Sequence, residues 1–376
     1  MTWNKDDSNF GIIGIEYQLP SLVVDEVDLA KYLNWEPEKL TIGLELLECG
    51  TVIDCEDSIS LALSAVDRLM KKYNIDVNSV GRIDVGTESN HDSSKAFKTY
   101  LMNLFPGNNS ICGLDTTNAC YGGTAAFLNA IAWLESSLWD GRYAIVVATD
   151  VALYKDLPPL PTTGAGAVAM LLGPTAALKI KRGTLSHHFA NTFDFMKPKT
   201  LYPHSFLDGK VSVQIYLEAF QKCYEKLNSS YDYMVFHTPY PKLTKKAAVL
   251  VGASPDKIEK SLEIPRRNGN SYTASAYMAL VSLLSNNIAI GEKILFFSLG
   301  SGLASSLFVL EKCGEISTVD IKERLDLRKK ISPEELVQRT SRIPELENFV
   351  PSDTPIFNGW YLKEINNYKR TYFKYE

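Results

Sequence analysis

Cys120 stands at a break in the pattern of the chain. Residues 115–124 read Asp-Thr-Thr-Asn-Ala-Cys-Tyr-Gly-Gly-Thr, and the cysteine sits where this polar stretch gives way to the apolar run Ala125–Leu134. That run is Ala-rich, Pro-free and apolar almost all round, which predicts a helix buried in a core. Cys120 therefore falls at or near a helix N-terminus, where free N–H groups and the macrodipole favour a thiolate. Gly122 and Gly123 let other backbone or a ligand come close. Two more reactive groups, Glu88 and His237, end segments that read as strands. A thiolate, a carboxylic acid and an imidazole together suit acyl transfer. The cysteine would carry the acyl group as a thioester, the glutamate would move a proton, and the histidine would bind or stabilise a developing oxyanion. Taken singly, each has a plainer reading: a small buried hydrophobe, a solvated carboxylate, a hydrogen-bonded structural histidine. His91, His187, His188 and His204 receive no role.

The elements that must position these groups alternate between strand and helix. Strand patterns cover Phe10–Tyr17, Arg82–Thr87, Tyr143–Thr149, Gly164–Leu172, Ala177–Arg182, Tyr233–His237, Lys293–Ser298 and Leu303–Glu311. Helical spacing covers Asp25–Leu33, Asp57–Tyr73 with Asp57 or Ser58 as N-cap, Ser94–Phe105, Gly209–Leu227 and Ser271–Leu284. Glu36–Gly43, which contains Lys39, reads as a loop, and Gly300-Ser-Gly302 as a tight turn. This alternation predicts an α/β layered fold. The two parts of the chain resemble each other coarsely, each giving a strand with a polar tip, a long helix, a strand and a Gly-rich turn. That divides the protein into residues 1–173 with the cysteine and 174–376 with the histidine. Beyond Ser317 the chain is charged and is expected to wrap the surface, pinned by Trp360, Tyr361, Tyr368, Tyr372 and Phe373.

Composition narrows the class. The chain has 376 residues, 45% hydrophobic and 22% charged, with a formal net charge of -5, which is ordinary for a globular protein and too mild to suggest a nucleic-acid partner. The segment Met1–Phe10 is polar and lacks an apolar signal core, and the longest uncharged runs are broken by Pro or by Gly and Ser, so no membrane span is expected. The 6 cysteines show neither CxxC pairs nor zinc-like spacing, and the 5 histidines are dispersed; no metal site is expected. Free thiols fit a reducing compartment and a cytoplasmic protein.

With these residues in view, the chain resembles the eukaryotic-type hydroxymethylglutaryl-CoA synthases. The likeness is carried by Leu40–Leu44, Gly81–Glu88, Gly113–Ala125, Trp139–Ala148, Gly164–Ala169, Asp208–Gln214, Phe236–Tyr240, Asn268–Thr273 and Ser298–Leu303, in family order. The tail segments Asn358–Leu362 and Arg370–Tyr372 continue it. The resemblance implies a thiolase-like fold, two related halves in five αβαβα layers, usually as a homodimer. It implies condensation of acetyl-CoA with acetoacetyl-CoA followed by hydrolysis, feeding the mevalonate route to isoprenoids and sterols. The CoA thioesters are then substrates and no cofactor is implied. Cys120 matches the acylated nucleophile, Glu88 the general acid/base and His237 the anchor of the acetoacetyl group. Asn270 and Ser301 match polar pocket residues, and Lys39, Lys242 and Lys246 match basic residues facing the CoA phosphates. Asp150, Tyr154, Thr162, Asp194, Phe195 and Ser212 match residues lining the acyl and pantetheine channel.

The chain departs from the family in several places. In the loop Lys155–Pro161 and Thr162 only Pro161-Thr162 fit, Met196 replaces an aromatic residue, Glu36-Pro37 replaces an Asp-Ala pair, and the interval from His237 to Asn270 is short. These changes touch the CoA channel and the surface, not the three reacting groups. Two other readings compete: a synthase acting on a ketone held by a carrier protein, and a silent homologue kept for binding. A thiolase would need a second cysteine where Ser301 stands.

Overall fold

The computed structural model describes residues 10–154, 156–198, 203–317, 321–341 and 346–376. Its main strands form one large mixed sheet. The N-terminal part contributes β1 (Gly11–Gln18), β2 (Val80–Gly86), β3 (Tyr143–Ala152) and β4 (Gly164–Gly173). The C-terminal part contributes β5 (Leu178–Ile180), β6 (Tyr233–Phe236), β7 (Lys293–Gly300) and β8 (Ala304–Lys312). The strand order is β6-β7-β8-β5-β1-β4-β3-β2, with the short strand Asp115–Thr116 outside β2 and Ser186–Phe189 pairing with β8.

The two parts repeat one pattern of strand sense. In the first, β2 and β3 are parallel, β3 and β4 antiparallel, β4 and β1 antiparallel. In the second, β6 and β7 are parallel, β7 and β8 antiparallel, β8 and β5 antiparallel. The halves meet within the sheet at the register pair Ile12 and Leu178.

Helices complete the layers. Five carry the architecture: α1 (Ser58–Lys72), α2 (Gly122–Leu134), α3 (Gly209–Tyr224), α4 (Pro241–Leu250) and α5 (Ser275–Leu284). The middle layer is α2 and α5, and all ten residues of α5 are buried. One core holds Phe127 and Trp133 of α2, Tyr277 and Leu280 of α5, and the strand residues Val146, Met170, Phe296 and Phe308. Alternate strand residues face the other way. Ile145, Val147 and Leu171 pack with Leu63 and Val66 of α1, and Leu295, Phe297 and Leu307 pack with Phe220 of α3 and Leu243 of α4. Strands covered on both faces must be apolar at every position, as Ile145–Ala148 and Ile294–Phe297 are. Full burial of each such side chain contributes ~1.5–3 kcal/mol. The result is α1, the N-terminal strands, α2 with α5, the C-terminal strands, then α3 with α4: the two parts of the sheet form separate layers in the five-layer αβαβα thiolase-like fold.

Local chemistry sets the ends of the elements. Asp57 caps α1 in a capping box with Ser60, its carboxylate accepting from Ser60 N at 2.8 Å while Ser60 Oγ accepts from Asp57 N at 2.9 Å. Asp208 caps α3 by accepting from the N–H groups of Lys210 and Val211. Three expectations change. Ser94–Phe105 is not one helix but a short turn Lys98–Leu101 with a 3₁₀ turn after it. Asp92 takes the N–H groups of Ser94 and Lys95, and Asp115 those of Phe97 and Lys98, the last of which a helix from Ser94 would bond to the Ser94 carbonyl. Within the expected loop Glu36–Gly43, Glu38–Thr41 is a helical turn. The C-terminal tail ends in a β-hairpin, Gly359–Asn366 with Lys369–Tyr375, laid against α1. Leu362, Ile365 and Tyr372 anchor it, whereas Tyr368 and Phe373 are exposed. Among the described residues no helix is long and apolar enough to cross a membrane.

Candidate active site

Glu88 lies two residues past β2, Cys120 two residues before α2, and His237 directly after β6. The fold gathers these ends at one rim of the inner layer. Gly86 makes this possible on the first strand: a Cβ there would overlap the backbone of Gly122 and Gly123, so β2 and the start of α2 touch only because the residue is glycine. The Gly300–Gly302 turn closes in from the C-terminal half. A Cβ on Gly300 would overlap the Asn118 carbonyl and stand 2.6 Å from Tyr121 N.

The Cys120 thiol donates to Glu88 Oε1 at 3.5 Å. Burial raises the Glu88 carboxyl to about 7, with Asp150 pushing the same way and Lys197 opposing it. Burial also raises the Cys120 thiol well above its ordinary value, and Glu88 and Asp150 add to this. The expected helix-terminus thiolate is thus corrected. α2 begins at Gly122 with Tyr121 as its N-cap, Cys120 lies outside it, and low dielectric plus two carboxyl groups outweigh the dipole. The resting thiol keeps its proton and has a carboxyl group ready to receive it. His237 is buried, its ring is lowered to about 3 by that burial, and its Nδ1 has no hydrogen-bond partner among the described residues. It is a neutral imidazole at pH 7.

Cys120 and His237 line one cleft of about 280 Å³ together with Tyr154, Thr162, Phe195, Ser212, Asn270 and Ser301. Two expected lining residues lie behind it instead. Asp150 is fully buried. It accepts from Thr87 Oγ1 (3.0 Å), Glu88 N (2.9 Å), Ser89 Oγ (2.8 Å) and Thr273 N (3.0 Å), so it braces the backbone of Glu88. Asp194 is also buried and accepts from Ser212 Oγ at 2.8 Å and Ser301 Oγ at 2.7 Å, orienting two residues that do face the cleft. Asn270 turns its Oδ1 to Tyr272 N at 2.9 Å. The lysines stand away from the reacting groups. Lys39 is exposed with its ammonium 3.3 Å from the Trp35 ring centre, Lys242 pairs with Glu45 at 3.4 Å, and Lys246 is exposed one turn along α4. Lys155 lies outside the described residues.

Sequence reasoning missed Tyr216, Tyr240, Leu243 and Tyr272 in the cleft wall. Their signal was the apolar face of α3 and α4 and the immediate neighbourhood of Asn270. It also missed Lys197, the one cation within the short segment Phe193–Lys197.

The comparisons with known proteins bear on this geometry. The hydroxymethylglutaryl-coenzyme A synthase N-terminal profile matches residues 6–177, and the C-terminal profile matches residues 178–254 and 253–375. The chain belongs to the hydroxymethylglutaryl-CoA synthase family. It is 38% identical to the human mitochondrial hydroxymethylglutaryl-CoA synthase, covering 98% of this chain and 89% of that one. It is 36% identical to the human cytoplasmic enzyme, covering 98% and 87%. Among solved structures it is similar to MvaS in complex with 3-hydroxy-3-methylglutaryl coenzyme A, with TM-score 0.88, 27% identity and coverage of 98% and 99%. The break in the hydroxymethylglutaryl-CoA synthase C-terminal profile at residues 253–254 falls inside the short interval from His237 to Asn270.

Proposed function

We propose that the protein condenses acetyl-CoA with acetoacetyl-CoA and water to give 3-hydroxy-3-methylglutaryl-CoA and CoA. The observation that carries this reading is the 3.5 Å contact between the Cys120 thiol and Glu88 beside a cleft that His237 also lines. Cys120 passes its proton to Glu88 and attacks the acetyl carbonyl. The bond to the CoA sulfur breaks, and that sulfur leaves with the proton. Glu88, again a carboxylate, removes a proton from the methyl group of the acetyl-Cys120 thioester. The carbon so formed attacks the ketone of acetoacetyl-CoA, whose oxygen takes the proton from Glu88. Water then cleaves the thioester and restores the thiol.

His237 suits the ketone because a neutral, buried ring can hydrogen-bond it without adding a charge. Backbone N–H groups in the Gly300–Gly302 turn suit the enolate oxygen. Asn270, Ser301, Ser212, Thr162, Tyr154 and Phe195 hold the acyl and pantetheine parts, with Asp150 and Asp194 supporting them from behind. Lys242 and Lys246, one turn apart on α4, and Lys39 meet the CoA phosphates. The CoA thioesters are substrates, and we assign no cofactor and no metal. A homodimer and a cytoplasmic location complete the reading, supported by the resemblance and by six free cysteines, and the product suits the mevalonate route.

The test follows the loss of acetoacetyl-CoA absorbance on adding acetyl-CoA, with the wild type and Cys120→Ala side by side. Turnover that vanishes in the variant is expected. A silent wild type that still takes radiolabelled acetyl onto Cys120 would move the acceptor to another ketone, such as one on a carrier protein, and no labelling would end the enzymatic reading.

A further inference from the structure

Lys197 is not among the residues that line the substrate cleft. It is half-buried, and its Nζ donates to the Glu88 carbonyl at 3.4 Å and stands 5.4 Å from the Tyr272 ring centre. It borders a separate cavity of about 150 Å³ that also touches Ser89, His91 and Val151 and that neither Cys120 nor His237 lines. Glu88, Asp150 and Cys120 come from the ends of β2 and β3 and the loop before α2, His91 from the loop past Glu88, and Tyr272 from the turn before α5. The cavity wall adds Asp54, Glu56, Asp57, Arg339 and Arg370, and burial raises the Glu56 carboxyl to about 7 as well. Lys197 is the cation that acts on Glu88, Asp150 and Cys120 alike, and it favours the charged form of each.

The segment that carries it spans the seam between the halves. At one end, Asp194 is tied to Ser301 of the C-terminal turn, and three residues on, Lys197 is tied to Glu88 of the N-terminal half. Between them, Phe195 and Met196 pair with Phe206 and Leu207 as a two-residue ladder. Asp150 holds the backbone N–H of Glu88, so when Glu88 acts as a base two buried carboxylates belong to neighbouring parts of one site. Like charges so close oppose this, and a cation within ~4–6 Å relieves it.

We propose that Lys197 is the positioning cation of the site: it fixes the Glu88 backbone across the seam and offsets the Glu88–Asp150 pair, so that Glu88 can cycle between acid and base. The inference rests on the role given to Glu88 in the condensation. It makes Lys197 responsible for where on the pH scale the enzyme works, not for holding substrate.

The experiment compares the pH dependence of condensation from pH 5.5 to 9 in wild type, Lys197→Arg, Lys197→Met and Lys197→Gln, with Cys120→Ala as the blank. Both neutral variants are expected to move the acid limb upward by about one pH unit. They then lose about tenfold more rate at pH 6 than at pH 8.5, with KM for both thioesters unchanged, and Lys197→Arg keeps the wild-type limb. Neutral variants with a wild-type limb, whether fast or uniformly slow, overturn the proposal. So does loss of fold in both neutral variants while the arginine variant stays native, because Lys197 would then serve the fold alone. A wild type without turnover defeats the role of Glu88 itself, and this inference with it.

Discussion

Glu88 is pulled two ways. Burial and Asp150 favour its acid form, Lys197 its carboxylate, and the balance near pH 7 lets it both take and return a proton. Only the carboxylate can accept a proton, so condensation is expected to rise with pH through about 7. Glu88→Gln keeps the size and removes the titration. It is expected to lower kcat by ~10²–10⁴-fold and to abolish the rise through neutral pH, measured by acetoacetyl-CoA consumption. Cys120, Glu88 and His237 could be singled out in the sequence because each stands at a change of pattern, while their roles came from the family resemblance. The protonation of the thiol was not legible, since it depends on burial and on carboxyl groups brought from other strands. Lys197 was illegible for the same reason: its meaning lies in the Glu88 carbonyl, 109 residues away along the chain.

At the scale of elements, the nucleophile loop is held from both sides by backbone that leaves no room. Gly300→Ala would drive a methyl group into the Asn118 carbonyl and the Tyr121 amide. It is expected to shift Cys120 relative to Glu88 and cut turnover by roughly 10²-fold, since a displacement of ~1 Å costs about that much. Circular dichroism should show a native spectrum while acetyl transfer to Cys120 slows. An unchanged labelling rate would show that the turn does not set the position of the thiol. Alternation of strand and helix was readable from apolar periodicity, and α1, α2, α3 and α5 lie where the spacing put them, within a few residues. The stretch Ser94–Phe105 misled because its helical spacing is real, while Asp92 caps its start and Asp115 takes the Lys98 N–H that a continuous helix would use. Asp92 stands just ahead of the stretch; Asp115 is distant in sequence and adjacent only in the fold.

Across the whole molecule, stability carries the cost of buried acids. Glu26 is fully buried and its carboxyl is held well above the ordinary range by that burial, with Asp25 adding to the effect and the Cys49 thiol opposing it. The folded state keeps a proton that the unfolded chain releases above ~4.3, so this group's contribution is greatest at low pH and declines as pH rises towards its folded value. Glu26→Gln removes that decline. Its melting temperature is expected to exceed that of the wild type by ~2 °C or more at pH 8, with the gap closing towards pH 4.5, by thermal denaturation at each pH. The two-half plan was readable only coarsely, because the repeat survives in the order and sense of strands and not in their residues. The join at Ile12 and Leu178 makes the site depend on the sheet staying whole. Cys120 and Glu88 stand on one side of it and His237 and Asn270 on the other, so neither half alone carries all four groups.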